Sequence, residues 1–262
     1  MKKNFYKWNP ELYQNNSAAQ YNWANAILNT YNFKGNETVL DIGCGDGKIT
    51  YLISQKLFNG EIIGIDLSKE MVEFAQKKYS NQKNLKFKKL NVLRMRYKNK
   101  FDLIFSNACI HWIKNHSLLL KKIKDALKNN GKILLSFGGR GNAEQVIKII
   151  NKIIKIKKWK SYFTNFKFPW FFPSDNYWQT ILLKNNFKIN RIELVPKLMS
   201  FNNENEFIGW LKTTWMPYIE RIPEKLQNFF ISEITNKFLK ENIGLDIKMM
   251  RLEIYAEKIT GG

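Results

Sequence analysis

The run Val39-Leu40-Asp41-Ile42-Gly43-Cys44-Gly45-Asp46-Gly47 constrains this chain more than any other stretch. A β-rich segment enters three glycines at alternate positions, and a helix-forming segment begins directly after them. Glycines at such a turn permit positive φ and let a ligand approach the backbone closely. The helix start behind them offers N–H groups without intrahelical partners and the positive end of a dipole, so a carboxylate or phosphate is attracted there. A strand, a glycine turn and a helix in that order belong to an open parallel sheet whose ligands lie beyond the carboxyl ends of its strands.

The remaining pattern agrees. Residues 11–31 predict one helix, with Trp23, Ala24, Ile27 and Leu28 at helical spacing. Strands are predicted at 38–42, 61–65, 85–89, 101–106 and 132–137, and helices at 47–57, 69–79 and 116–128 lie between them. Strands separated by helices of this length imply right-handed crossovers and a parallel sheet. Asn130-Gly131 is expected to close the last of these helices as a left-handed cap. Further on, the sequence predicts a Lys-rich helix over 142–158, a helix over 175–185 and a strand over 187–195. Helices over 204–216 and 223–240, broken at Pro217 and Pro223, then precede a last strand over 249–257. The expected fold is an α/β, Rossmann-like, doubly wound and mostly parallel seven-stranded sheet. A helical, aromatic-rich cap lies between the last two strands. One domain spans 1–262, with a cofactor-binding core at 30–140, the N-terminal helix at 11–31 and cap segments at about 160–180 and 204–240.

Asp66 ends the second strand in Ile63-Gly64-Ile65-Asp66-Leu67-Ser68. A carboxylate there can accept both hydroxyls of a ribose. A dinucleotide fingerprint wants glycine at the first, third and sixth positions of the turn. Gly43 and Gly45 satisfy the first two, but Lys48 stands at the sixth and the last glycine falls at Gly47. Asp41 adds a carboxylate beside the loop, which suits a ligand carrying an ammonium group. With these residues in view, Leu40–Gly47 resembles motif I of class I S-adenosylmethionine-dependent methyltransferases, and Gly64–Ser68 resembles their post-I motif. The resemblance implies S-adenosylmethionine as cofactor, S-adenosylhomocysteine as product and no metal. It places the methionine part on the loop at Asp41, Gly43, Cys44 and Gly45, the ribose on Asp66 and the adenine on Leu67. Asn91, where this family often has Asp, and Val92 are implied as adenine contacts, and Asn107 as a further cofactor contact.

Strand four runs into Phe105-Ser106-Asn107-Ala108-Cys109-Ile110-His111-Trp112-Ile113. Trp8-Asn9-Pro10-Glu11-Leu12-Tyr13, Asn16-Ser17-Ala18-Ala19-Gln20 and His111-Trp112-Ile113 resemble the trans-aconitate, juvenile hormone acid and malonyl-carrier-protein O-methyltransferase group, as does Trp215-Met216-Pro217-Tyr218. That group shares a carboxylate acceptor. The resemblance implies that Gln20 and Trp112 hold it through an amide N–H and an indole N–H, with His111 beside them as a weak base or a wall. A carboxylate is ionised at neutral pH and needs no general base. Catalysis would then rest on proximity and alignment. The aromatic run 161–178 and the cap would close over the site and exclude water.

Lys and Arg total 43 against 22 acidic residues, a net charge of +21. That field favours anionic partners: a small carboxylic acid, an acidic acyl carrier protein, or nucleic acid. Basic residues between Lys77 and Lys100 and between Lys148 and Lys160 leave an RNA methyltransferase open as an alternative, and a non-catalytic cofactor-binding protein is a second. Cys44 and Cys109 make neither a disulfide framework nor a zinc spacing. The polar start Met1-Lys2-Lys3-Asn4-Phe5-Tyr6-Lys7 and the lack of a bilayer-length apolar run lead to the expectation of a cytoplasmic protein without a membrane partner.

Overall fold

The computed structural model describes residues 6, 8–241 and 244–259; the rest of the polar start lies outside the described residues. Seven strands form one sheet: β1 (Thr38–Ile42), β2 (Glu61–Asp66), β3 (Leu85–Lys89), β4 (Phe101–Asn107), β5 (Leu127–Gly138), β6 (Phe187–Ser200) and β7 (Asp246–Lys258). Their spatial order is β3-β2-β1-β4-β5-β7-β6. The first five are parallel, and β7 runs antiparallel between β5 and β6. The crossovers carry α3 (Lys48–Ser54), α4 (Lys69–Lys78) and α5 (His116–Ala126), followed by α6 (Glu144–Ile153), α7 (Lys157–Lys160) and α8 (Asp175–Lys184). The chain goes from β1 outward through β2 to β3, then returns to place β4 on the other side of β1. The crevice at this reversal lies outside the ends of β1 and β4, where ligands of open α/β sheets bind.

Both faces of the sheet are covered, so its central strands are apolar on both sides. Along β4, Leu103 and Phe105 join one buried cluster with Val39, Leu28 and Ile53. Ile104 between them joins the other, with Leu40, Ile63, Leu120 and Trp178. A third cluster lies in the cap, formed by α9 (Glu204–Thr214), α10 (Met216–Ile219) and α11 (Glu224–Glu241) against α6. It includes Trp159, Trp210, Tyr218 and Phe230, and meets the sheet at Ile247 and Met249 of β7.

Several boundaries differ from the sequence expectation. The single helix over 11–31 is two, α1 (Pro10–Asn15) and α2 (Ala18–Leu28). The break falls where Asn16 turns its amide back to the Leu12 carbonyl at 2.8 Å, the local competition that makes Asn and Ser poor helix interiors. Asn130-Gly131 does not cap α5. That helix stops at Ala126, and Asn130, at φ 59°, lies in an irregularity of β5, whose pairing with β4 jumps from Leu127 to Lys132. The expected helix over 204–216 divides at Trp215 into α9 and α10. Strands β6 and β7 outrun 187–195 and 249–257, because they pair with each other from Phe187–Lys258 to Ser200–Asp246. Pro196 is tolerated because β6 is an edge strand.

Ile104 is fully buried at the centre of the sheet. Ile104→Ala is expected to lower the free energy of unfolding by roughly 2–5 kcal/mol in a urea melt. A loss below about 1 kcal/mol would show that this face of the sheet is not the packed core described.

Candidate active site

The glycine loop is fastened to the neighbouring strand before any ligand arrives. The N–H groups of Gly43 and Cys44 both donate to the Ile65 carbonyl, at 2.8 and 3.1 Å. Gly43 has φ +76°, and a Cβ there would fall 2.3 Å from the Cys109 sulfur, so β4's exit leaves no room for a side chain. Gly45 has φ +53° but faces open space: an added Cβ would meet only the Tyr13 ring, 4.0 Å away. Gly43 is therefore a packing requirement, while Gly45 exposes its backbone to a cavity.

Three carboxyl groups surround that loop. Asp66 accepts the Gly45 N–H at 3.0 Å with one oxygen and the Ser68 N–H at 2.8 Å with the other. Burial raises its pKa against those bonds. Asp41 is buried and accepts the Thr50 hydroxyl at 2.7 Å. Burial pushes its pKa up to about 7, opposed by that hydrogen bond and reinforced by the charges of Asp66 and Asp46. Asp46 accepts the Lys48 N–H at 3.2 Å, and its second oxygen is buried without a partner among the described residues. A cationic ligand would relieve all three.

Asp41, Gly43, Cys44, Gly45 and Asn107 line one cavity with Gln20 and Tyr13. Gln20 and Tyr13 also line a second cavity with His111, Trp112, Trp170, Phe172, Trp210 and Arg251. The two spaces thus meet across the N-terminal helices. The described residues include no group of three or more His, Cys, Asp or Glu placed to hold a metal ion. Among them, no helix is long and apolar enough to cross a membrane.

A sequence-family profile described as a methyltransferase domain matches residues 33–191. The chain belongs to this methyltransferase family. Protein 235L of Invertebrate iridescent virus 6, which carries a provisional methyltransferase name, is 26% identical across 88% of this chain and 85% of its own. The juvenile hormone acid O-methyltransferase of Drosophila melanogaster is 25% identical across 88% of this chain and 83% of its own. Among solved structures, the phosphoethanolamine N-methyltransferase 2 of Haemonchus contortus in complex with S-adenosyl-L-methionine shares the fold. Its TM-score is 0.61 at 19% identity, over 96% of this chain and 57% of that one.

The protein is accordingly an S-adenosylmethionine-dependent methyltransferase, and the residues present fit that cofactor. The open backbone at Gly45, the carboxyl of Asp41 and the unpartnered oxygen of Asp46 offer acceptors to a group bearing an ammonium and a sulfonium. Leu67, just past β2, is 43% exposed, which leaves an apolar shelf in the methyltransferase's surface. Asn91 follows β3, and its side-chain oxygen accepts the Leu93 N–H at 2.9 Å to cap a single 3-10 turn. Val92 has its side chain in the core, 7% exposed. Asn107 is spent at both ends: its amide donates to the Gln20 carbonyl at 3.1 Å, and its oxygen accepts from Arg251 at 3.1 Å.

His111 accepts the Gly138 N–H on Nδ1 at 3.2 Å, so the neutral ring carries its proton on Nε2. Burial, and the nearby Arg251 charge, hold its pKa well below the imidazole range. Trp112 touches the rings of Trp8 and Trp170 at 5.7 and 5.3 Å between centroids.

Tyr13 and Arg251 are site residues that the sequence reading missed. Tyr13 had one signal, its place in the Trp8–Tyr13 segment that resembles the carboxyl O-methyltransferase group. Arg251 had one: in Met249–Glu257 it occupies an inward position of an alternating strand, where a charge needs a reason.

The packing role of Gly43 is testable by a matched pair. Gly141 also has positive φ, +86°, yet a Cβ there meets nothing nearer than 3.4 Å. Gly141→Ala is expected to cost about 1–2 kcal/mol, roughly 2–8 °C in melting temperature. Gly43→Ala should exceed that and weaken S-adenosylmethionine binding; equal melting shifts in the two variants would contradict the overlap with Cys109.

Proposed function

We propose that this methyltransferase esterifies a carboxylate of a small organic acid, free or carried on an acidic acyl carrier protein. The observation that carries the reading is the absence of a competent base among the described residues lining the acceptor cavity. His111 is neutral with Nδ1 occupied, and burial raises the Tyr13 hydroxyl pKa far above neutrality, so it stays protonated. An amine or hydroxyl acceptor would have to lose a proton there, whereas a carboxylate arrives ionised.

Gln20 supports the same reading. It lines both cavities, and its side-chain amide makes no hydrogen bond to a described residue. Its N–H and the Trp112 indole N–H would hold the carboxylate as neutral donors, leaving charge on the attacking oxygen. When bound, S-adenosylmethionine supplies an electrophilic methyl carbon and a neutral thioether leaving group. Asp41 would take its ammonium group, Gly43, Cys44 and Gly45 its methionine part, and Asp66 its ribose hydroxyls. Leu67 would cover the adenine with Asn91 and the Val92 backbone at its edge, and Asn107 would hold α2 against the site. The Drosophila relative, named for an acid acceptor, is consistent with this assignment.

Asp41 makes cofactor affinity depend on pH. Its folded-state pKa is raised to about 7, so below that pH the carboxyl is protonated and pairs poorly with an ammonium. The S-adenosylmethionine dissociation constant is expected to fall as pH rises from 5.5 to 7, by up to about tenfold per unit, and then level off. Asp41→Asn should flatten this slope. A wild-type constant that does not change with pH would remove Asp41 from the ammonium contact.

A labelled-methyl screen across organic acids, acyl carrier protein and total RNA tests the function itself. Base-labile ester label on an acid is expected, and label entering only RNA would refute the carboxyl reading. Gln20→Ala and Trp112→Phe should each lower kcat/KM at least about tenfold, with the cofactor dissociation constant within about twofold of wild type.

A further inference from the structure

We propose that Arg251 recognises the negative charge of the acceptor, and that the site takes a singly charged acid with a flat, apolar body. This rests on the carboxyl-acceptor reading and narrows it. Arg251 is 2% exposed on β7, at the wall of the acceptor cavity. Its Nε donates to the Ser136 hydroxyl at 3.4 Å. Its Nη2 donates to the Ser136 carbonyl at 2.7 Å, the Ser136 hydroxyl at 3.3 Å and the Asn107 side-chain oxygen at 3.1 Å. All of these acceptors are neutral. No hydrogen bond or ion pair to a described residue uses Nη1.

The nearest candidate counter-ion is already committed. Glu253, two residues along the same strand face, pairs with Arg191 at 3.0 Å and Lys197 at 3.3 Å. The Trp23 ring, 5.5 Å from the guanidinium carbon, adds a cation–π contact but no charge. Burial lowers the Arg251 pKa only to about 10, so the group remains a cation at neutral pH. A buried cation with neutral partners alone is a strain on the fold that an anionic ligand relieves.

Position and surroundings fix what that ligand is. Arg251 holds Asn107, and Asn107 holds the Gln20 carbonyl, so the charge stands at the end of the cavity that borders the cofactor space. With Nε and Nη2 anchored, it attracts the anion from the wall while Gln20 and Trp112 make the orienting bonds. It is the only Lys or Arg among the described residues lining this cavity. Trp23, Trp170, Phe172 and Met249 make much of the remaining wall. Trp210 and Trp215 belong to it too. A second carboxylate on the acceptor would be desolvated against those rings without a cation.

The test is a fluorescence titration, since six of the chain's eight tryptophans, Trp8, Trp23, Trp112, Trp170, Trp210 and Trp215, line the space. The probes are 3-phenylpropanoate, its amide and propane-1,2,3-tricarboxylate, with S-adenosylhomocysteine present. Wild type is expected to bind the acid at least about tenfold more tightly than either comparison compound. In Arg251→Gln the acid and amide should bind within about twofold of each other, and Arg251→Lys should restore part of the preference. Equal binding of acid and amide by wild type, tighter binding of the tricarboxylate, or an acid preference surviving in Arg251→Gln would each overturn the proposal. If Arg251→Gln fails to fold, the wild-type comparison and a several-fold loss of acid binding in Arg251→Lys decide. Binding is read without methyl transfer, so acid selectivity with no ester formed would refute the carboxyl reading and leave Arg251 standing. Ester formation with a selectivity unmoved by Arg251→Gln would do the reverse.

Discussion

The parallel pairing of β1 with β4 is the constraint on which the rest of the molecule depends. Leu40 and Ile104 lie side by side, and the crossovers leave these two strands in opposite directions along the sheet. Their carboxyl ends are therefore the one place in the parallel sheet where no helix crosses overhead between neighbouring strands. The glycine loop fills one lip of that gap, and Asn107 with the His111-Trp112 turn fills the other. The 2.3 Å at which any Cβ at Gly43 would stand from the Cys109 sulfur shows how closely the lips meet.

A short hydrogen-bond thread converts this gap into a two-chambered site. Arg251 on β7, Asn107 on β4 and the Gln20 backbone on α2 are joined in series. Three segments far apart in sequence are fixed at the boundary between the two cavities. The cap adds a core of its own, and its aromatic residues form the far wall of the second cavity. The cavity at the glycine loop is thus walled by β1, β4 and the N-terminal helices, while the second cavity is shared among the N-terminal helices, the cap and β7.

Much of the parallel half was legible from local pattern. Thr38–Ile42 and Leu85–Lys89 form strands with the boundaries read from sequence, because their apolar periods and flanking turns leave little choice. The antiparallel half was less so. The lengths of β6 and β7 follow from their pairing with each other, and the polar outer face of β6 carries no local mark of where that pairing stops. Asn130-Gly131 has the chemistry of a helix cap, but Leu127 pairs with Phe101 and draws the chain into the sheet four residues earlier. Asn16 could be read as one more polar helix residue, although its own backbone contact ends the helix.

By itself, the sequence determined the glycine loop, the acidic end of β2 and hence the family and the cofactor, because those depend on backbone geometry set within a few residues. Likeness to a group of enzymes also pointed to Gln20, His111 and Trp112, which line one cavity together. Only the tertiary structure decided the protonation of His111, which depends on a Gly138 N–H arriving from the next strand, and the raised pKa of Asp41, which depends on depth. It alone brought Arg251 to the site, since a guanidinium near the end of the chain reaches the cavity only when β7 inserts antiparallel between β5 and β6. Charge recognition is a property of what surrounds a residue, and that is settled by packing at long range.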